Sequence, residues 1–147
     1  MIYADYDFYF YGPYHGTLSI EDFRRFVIRA SSFLDYFTQG KAEKNADLEA
    51  VKMACCALTD QYKLLEDAQA LAQKNVNAAL SDDGPEVQSE SVGSYSRTLR
   101  SGGDSSVSAM KAATEARKAI PEIAREYLAH TGLLYRGRCF DCTPLTL

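Results

Sequence analysis

Six apolar residues of one segment, Leu48, Val51, Cys55, Leu58, Tyr62 and Leu65, recur at alternating steps of three and four. A helix of 3.6 residues per turn gathers all six on one face, whereas a strand would scatter them over two. The spacing predicts a helix over about 47–75, roughly 40 Å long at 1.5 Å per residue. The seam is narrow, and Ala54, Ala57 and Ala68 widen it. Asn45 or Asp47 is placed to cap its start. Its second half, "EDAQALAQKNVNAAL", is less apolar and is expected to be partly exposed. Three heptads are too few to require a coiled coil.

A buried seam needs partners, and two further stretches supply them. In "TLSIEDF" Ser19 precedes Asp22 by three residues, resembling a capping box, and Glu21 and Asp22 suit the positive end of a helix dipole. Phe23, Phe26, Val27, Ala30, Phe33, Leu34 and Phe37 then mark one helical face, off which lie Arg24, Arg25 and Arg29. Gly40 is a plausible stop, so a helix is expected over about 20–38. Farther on, Asp104 or Ser105 can cap a helix whose face is Val107, Met110, Ala113, Ala116 and Ile120. Pro121 either ends it, opening a last helix "PEIAREYLAHTG" that stops at Gly132, or kinks one long helix. The tail "LLYRGRCFDCTPLTL" has no helical pattern. The core is expected to hold Phe26, Phe33, Val51, Leu58, Tyr62 and Tyr127.

Ahead of the helices, seven of the twelve residues from Tyr3 to Tyr14 are aromatic. The stretch has neither the basic start nor the aliphatic centre of a secretory signal, and Asp5 and Asp7 interrupt any membrane-spanning run. Either these rings cap a core built by the rest of the chain, or some dock on another subunit, since tyrosine joins a large contact area to a polar tip. Without a signal the four cysteines are expected as reduced thiols in a cytoplasmic setting. Cys55 and Cys56 lie in the seam helix, where at least one is core. Cys139-Phe-Asp-Cys142 has the spacing of half a zinc site, with no second half, and His15 and His130 show no ligand spacing. No metal or other cofactor is expected.

The net charge of −4 does not suggest a sequence-independent DNA binder. It is unevenly spread: residues 1–96 carry 8 basic and 15 acidic side chains, residues 97–147 carry 8 and 5. That polarity suits head-to-tail association of copies. Between the helices, residues 81–106 are rich in Ser, Gly and Asp, long for a loop in a compact domain. Its stretch "VQSESVGSYSRTL" alternates weakly and suits short strands around Gly93. The expectation is one all-α domain over 1–147, with about four helices and this polar excursion. No catalytic constellation is legible, so no enzyme is expected. Asp35 and Asp60, near the helical stripes, suit a buried carboxylate pair, but partnership with Arg29 or a capping role is favoured.

Four motifs in order carry a resemblance. "DFRRFVIRASSFLDYFTQGK", with Arg29-Ala30, Asp35 and Thr38-Gln39-Gly40-Lys41, resembles the first-helix signature of the tailed-bacteriophage head–tail connector family, the adaptor or head-completion proteins. "VKMACCALTDQ" is similar to that family's second helix, "SESVGSYSRTL" to its Ser-Glu-x-x-Gly-x-Tyr-Ser segment, and "AREYLAHTGLLYRG" to its C-terminal stretch. Lys41 stands where the family has Arg, and Cys139 and Cys142 have no counterpart. The resemblance implies a structural virion subunit at the head–tail junction, assembled in the host cytoplasm into a ring beneath the portal protein. Its partners would be the portal, its own copies and the next connector or tail protein. Genomic DNA would pass through the channel without specific binding, and no membrane is involved. Glu90, Val92 and Tyr95 would contact a partner, ordering on docking. The other reading is a small helical regulatory protein that binds a partner helix through the Leu48–Leu65 seam.

Overall fold

The computed structural model describes residues 1–80, 87–91, 96–99 and 102–136, with backbone alone for 79–80, 87–91, 96–99 and 102–106. In chain order the elements are α1 (Tyr6–Phe10), α2 (Ile20–Phe37), α3 (Lys41–Lys44), α4 (Glu49–Leu80), β1 (Val87–Ser91), β2 (Ser96–Leu99) and α5 (Gly102–Leu128). The fold is all-α: α4 is the central pillar, flanked by α2 and α5. The excursion between α4 and α5 covers 81–101 rather than 81–106, because α4 runs on to Leu80 and α5 starts at Gly102, ahead of Asp104. Within it the β1 and β2 backbones pair antiparallel, Glu90 opposite Arg97, with an irregularity between Val87 and Ser89.

α2 begins and ends where its sequence provides for it. The Ser19 hydroxyl accepts from the Asp22 N–H at 3.2 Å, satisfying one of the donors that a helix start leaves free. At the other end the Gly40 N–H reaches the Asp35 carbonyl at 2.8 Å and the Gln39 N–H reaches that of Tyr36 at 3.2 Å. These two bonds make a Schellman ending. Both Gln39 and Gly40 take positive φ, 55° and 78°, so the left-handed turn falls on a glutamine as well as the expected glycine. The Thr38 hydroxyl donates to the Leu34 carbonyl and accepts from the Ala42 N–H, tying α2 to α3.

The seam of α4 is core along most of its length. Val51, Ala54, Cys55, Cys56 and Leu58 are fully buried, and Leu65 nearly so. Leu48 is not: it is 41% exposed, at the head of α4, one residue before the helix begins. Neither expected side chain caps that start. The Leu48 carbonyl accepts from the Val51 and Lys52 N–H groups, while the Asn45 amide turns back to the Lys41 carbonyl. Of the other expected core residues, Phe26 is fully buried, whereas Phe33, Tyr62 and Tyr127 are half-buried, their outer edges facing solvent.

α5 passes through Pro121 without a break. The proline withholds the N–H that the Arg117 carbonyl would otherwise accept. Burial on both sides holds the helix together, with Ala116 and Ile120 before the proline and Ala124 and Leu128 after it packed in the core. The early part of the stripe is displaced from the expected one. Val107 and Met110 are exposed and Ala109 is buried in their place. Gly132, at φ 74°, follows in the turn beyond α5.

Candidate functional site

The aromatic opening stretch is a hook laid across α2 and α4. Asp5 starts it: its carboxylate accepts from the Phe8 N–H at 2.9 Å, capping α1. After α1 the chain doubles back, and the Gly16 N–H reaches the Tyr9 carbonyl at 2.7 Å. That return requires glycine, since a Cβ at residue 16 would lie 2.0 Å from Cζ of the Tyr9 ring. Tyr9 is thereby enclosed, with Phe23 at 4.7 Å and Tyr14 stacked at 5.5 Å between ring centroids.

Three of the hook's hydroxyls end on two helix carboxylates. Tyr9 donates to Asp60 Oδ1 at 2.5 Å and Tyr14 to Asp60 Oδ2 at 2.6 Å. The Tyr9 oxygen also accepts from the Thr17 and Leu18 N–H groups, at 3.1 and 3.0 Å. Tyr6 donates to the Leu18 carbonyl at 3.1 Å, and Tyr3 donates to Asp35. The Tyr3 N–H reaches the Ser31 hydroxyl at 3.3 Å, which lies 3.4 Å from Cys55 Sγ. Asp35 and Asp60 thus hold separate tyrosines. They neither pair with one another nor serve Arg29, which corrects the expectation from sequence.

Burial and the adjoining carboxylates push the phenols of Tyr3, Tyr9 and Tyr14 far above their usual range. The three hydrogen bonds to Asp35 and Asp60 tie the opening stretch to α2 and α4 as a latch. The thiols of Cys55 and Cys56 are raised as well, chiefly by burial, which removes the reactive thiolate. Among the described residues, no group of three or more His, Cys, Asp or Glu side chains could hold a metal. Also among them, no helix is long and apolar enough to cross a membrane.

Beside the exposed Asp5, Asp7 and His15, the hook leaves large apolar side chains outward. Phe10 and Tyr11 meet edge to face at 4.9 Å and are both exposed, as are Met1 and Ile2. A groove of about 660 Å³ runs beside the hook, between Ile2, Tyr6 and Phe8 on one side and Arg24, Asp47 and Lys52 on the other. A second, of about 410 Å³, lies between Val76 of α4 and Met110 of α5. Glu90 sits in β1, where only its backbone is described; Val92, Tyr95, Cys139 and Cys142 lie outside the described residues. Asp60 as a double acceptor escapes sequence reasoning. Its only sequence signal is a carboxylate off the seam face, and the one basic residue a turn away, Lys63, pairs with Asp67 instead.

Comparison with protein-family models, with curated proteins and with solved structures finds no match to this chain.

Proposed function

We propose that the chain is a structural subunit of a phage head–tail connector, an adaptor or head-completion protein that forms a ring beneath the portal and extends the DNA channel. The ring would present a surface to the next connector or tail protein. One observation carries the reading: several residues of the first two motifs of the resemblance do structural work in a single unit. Asp35 grips Tyr3, and Thr38, Gln39 and Gly40 build the turn from α2 into α3. "VKMACCALTDQ" supplies the buried centre of α4 and, through Asp60, the anchor of the aromatic hook. Motif positions that each perform a specific task in the fold are harder to match by chance than positions on a solvent face.

The charge supports the same reading. A channel wall must let DNA slide, and an acidic surface repels phosphate. The exposed Phe10 and Tyr11 add rings for a neighbour. The alternative regulatory reading needs the Leu48–Leu65 seam on the surface, whereas Val51, Cys55, Leu58 and Leu65 are spent on the chain's own core.

The test is co-expression with the portal protein of the same genome, affinity capture and imaging of the product. A ring seated on the portal is the expected result. Tyr95→Ala is expected to weaken that capture while leaving the helical content unchanged. No capture of the chain by the portal, with both proteins folded, overturns the reading.

A further inference from the structure

Side-chain contacts fix how the long helices lie against one another. Arg25 of α2 pairs with Glu66 of α4, and Ser31 meets Cys55, so α2 and α4 run antiparallel. The Gln61 amide donates to the Ala116 carbonyl at 2.8 Å, and Gln69 and Val76 line one groove with Met110 and Arg117, so α4 and α5 are antiparallel too. Hence α2 and α5 run parallel on either side of α4. The Arg125 guanidinium sits 6.0 Å from the centre of the Phe37 ring, which puts residue 37 of α2 level with residue 125 of α5. Two turns and a little back along both helices, Arg29 is level with Arg117. Between them on α4, one turn from Glu66 and one residue from Gln61, lies Tyr62.

This layer forms a furrow with an aromatic floor and cationic rims. Tyr62 is half-buried, and one turn beyond Arg29 on α2 Phe33 is half-buried and stacked on Phe37 at 5.3 Å. Arg29 and Arg117 are both exposed. The neighbouring Arg25, Lys118 and Arg125 each hold a carboxylate, whereas Arg29 and Arg117 form no ion pair among the described residues. Both guanidiniums are close enough to oppose, through their charge, the rise that burial gives the Tyr62 phenol. Two unpaired arginines above an apolar floor fit a short acidic segment with an apolar centre.

The same chain presents such a segment elsewhere. Asp47-Leu48-Glu49 is exposed throughout, and neither acid is ion-paired among the described residues. Its backbone is held at the head of α4 by Asn45 and by the Val51 and Lys52 N–H groups, so little ordering remains to oppose docking. It cannot reach its own furrow, because Leu48 and Tyr62 are separated by about 21 Å of helix at 1.5 Å per residue.

We propose that Asp47-Leu48-Glu49 of one copy docks in the α2–α5 furrow of the next, its acids on Arg29 and Arg117 and Leu48 on Tyr62. The inference rests on the connector reading and names the contact by which its ring would close. The contact is heterologous, joining two different patches, so repetition gives a ring where the rotation closes. It also accounts for an exposed leucine between two acids at a position the seam pattern assigns to the core.

A charge exchange tests it, using the full-length chain and sedimentation velocity at low ionic strength, with circular dichroism to confirm helical content. The wild-type chain is expected to associate reversibly, and more weakly as salt approaches about 0.5 M, where exposed charges are screened within a few ångströms. The double variant Arg29→Glu/Arg117→Glu and the double variant Asp47→Lys/Glu49→Lys should each associate about tenfold or more weakly. Mixed one to one, they should recover association as an alternating assembly, since every contact between unlike copies is then complementary. The contact is overturned if either variant associates like the wild type, if mixing restores nothing, or if the wild-type chain is monomeric at every concentration. It is overturned too if Arg29→Glu/Arg117→Glu loses affinity for duplex DNA while self-association is unchanged, for the furrow then serves phosphate. Capture by the portal is measured separately, so loss of this contact and loss of the connector reading are distinguishable.

Discussion

Asp60 is the residue on which the placement of the opening stretch most depends. Its carboxylate accepts two phenolic hydroxyls, from Tyr9 at 2.5 Å and Tyr14 at 2.6 Å. A hydrogen bond to a charged group contributes about 1.5–3 kcal/mol, more than one between neutral groups. Tyr14 is half-buried, so its freed hydroxyl regains water and the two contributions do not add fully. Asp60→Ala is therefore expected to cost about 3–5 kcal/mol. At about 2–4 °C per kcal/mol for a domain of this size, the melting temperature should fall by roughly 6–20 °C.

The single tyrosine variants order themselves by the same geometry. Tyr9→Phe removes one donor and also the oxygen that accepts from Thr17 and Leu18, so it should cost about 2–4 kcal/mol. Tyr14→Phe removes one partly solvated bond and should cost about 0.5–1.5 kcal/mol. Urea unfolding measures all three, and a double-mutant cycle between Tyr9→Phe and Asp60→Ala should return a coupling of about 1.5–3 kcal/mol. A loss below about 1 kcal/mol for Asp60→Ala, or a larger effect at Tyr14 than at Tyr9, would refute the reasoning. The hook would then be held by its rings alone.

Leu58 is fully buried in the α4 seam, and Leu58→Ala should lower stability by about 2–5 kcal/mol in the same assay; a loss under about 1 kcal/mol would mean that the site collapses freely. Gly16→Ala sets a methyl against the Tyr9 ring, so it should destabilise at least as much as Tyr9→Phe, and an unchanged urea midpoint would contradict the tight return. The phenols of Tyr3, Tyr9 and Tyr14 are raised above their ordinary value of 10.0 in the folded chain. Their contribution to stability is thus complete below pH 10 and is lost as pH rises through the folded values; stability that is flat above pH 10 would exclude their burial beside carboxylates. Cys55 and Cys56 should resist alkylation until urea unfolds the chain, as read by mass spectrometry, and labelling of either in the native chain would contradict their burial.

The helices were legible to the extent that their causes are local. The apolar stripe, the Ser19 cap and the Gly40 stop place α2 within a residue, and the seam of α4 is buried from Val51 to Leu65. The sequence is less informative where tertiary packing overrides a local rule. Pro121 is accommodated in a continuous α5 because Ile120, Ala124 and Leu128 are packed on either side of it. Met110 fits the stripe as well as Ala109 does, and only the position of α4 decides which of them is buried. The tyrosine hydroxyls are the extreme case. Composition announces many rings, but Asp60 is 51 residues from Tyr9 and 46 from Tyr14, and no periodicity connects them.

Leu48 shows how such a departure can bear on function. Periodicity assigns it to the seam, but its place ahead of the first turn of α4 leaves its side chain in solvent. A leucine exposed singly is ordinary. One held by backbone hydrogen bonds between two unpaired acids, on a chain whose unpaired arginines rim an aromatic furrow 21 Å or so away, is a different matter. Each half of the arrangement lacks a partner within its own copy among the described residues, and the two halves are complementary in charge and polarity. The proposed head-to-tail contact between copies would satisfy both halves at once. The uneven charge along the sequence is too coarse to locate such a contact, because the decisive cations come from two helices on opposite sides of α4: Arg29 lies in the acidic portion of the chain and Arg117 in the basic one. Folding brings them together, and the proposed interface is a property of the α2–α4–α5 layer rather than of either end of the sequence.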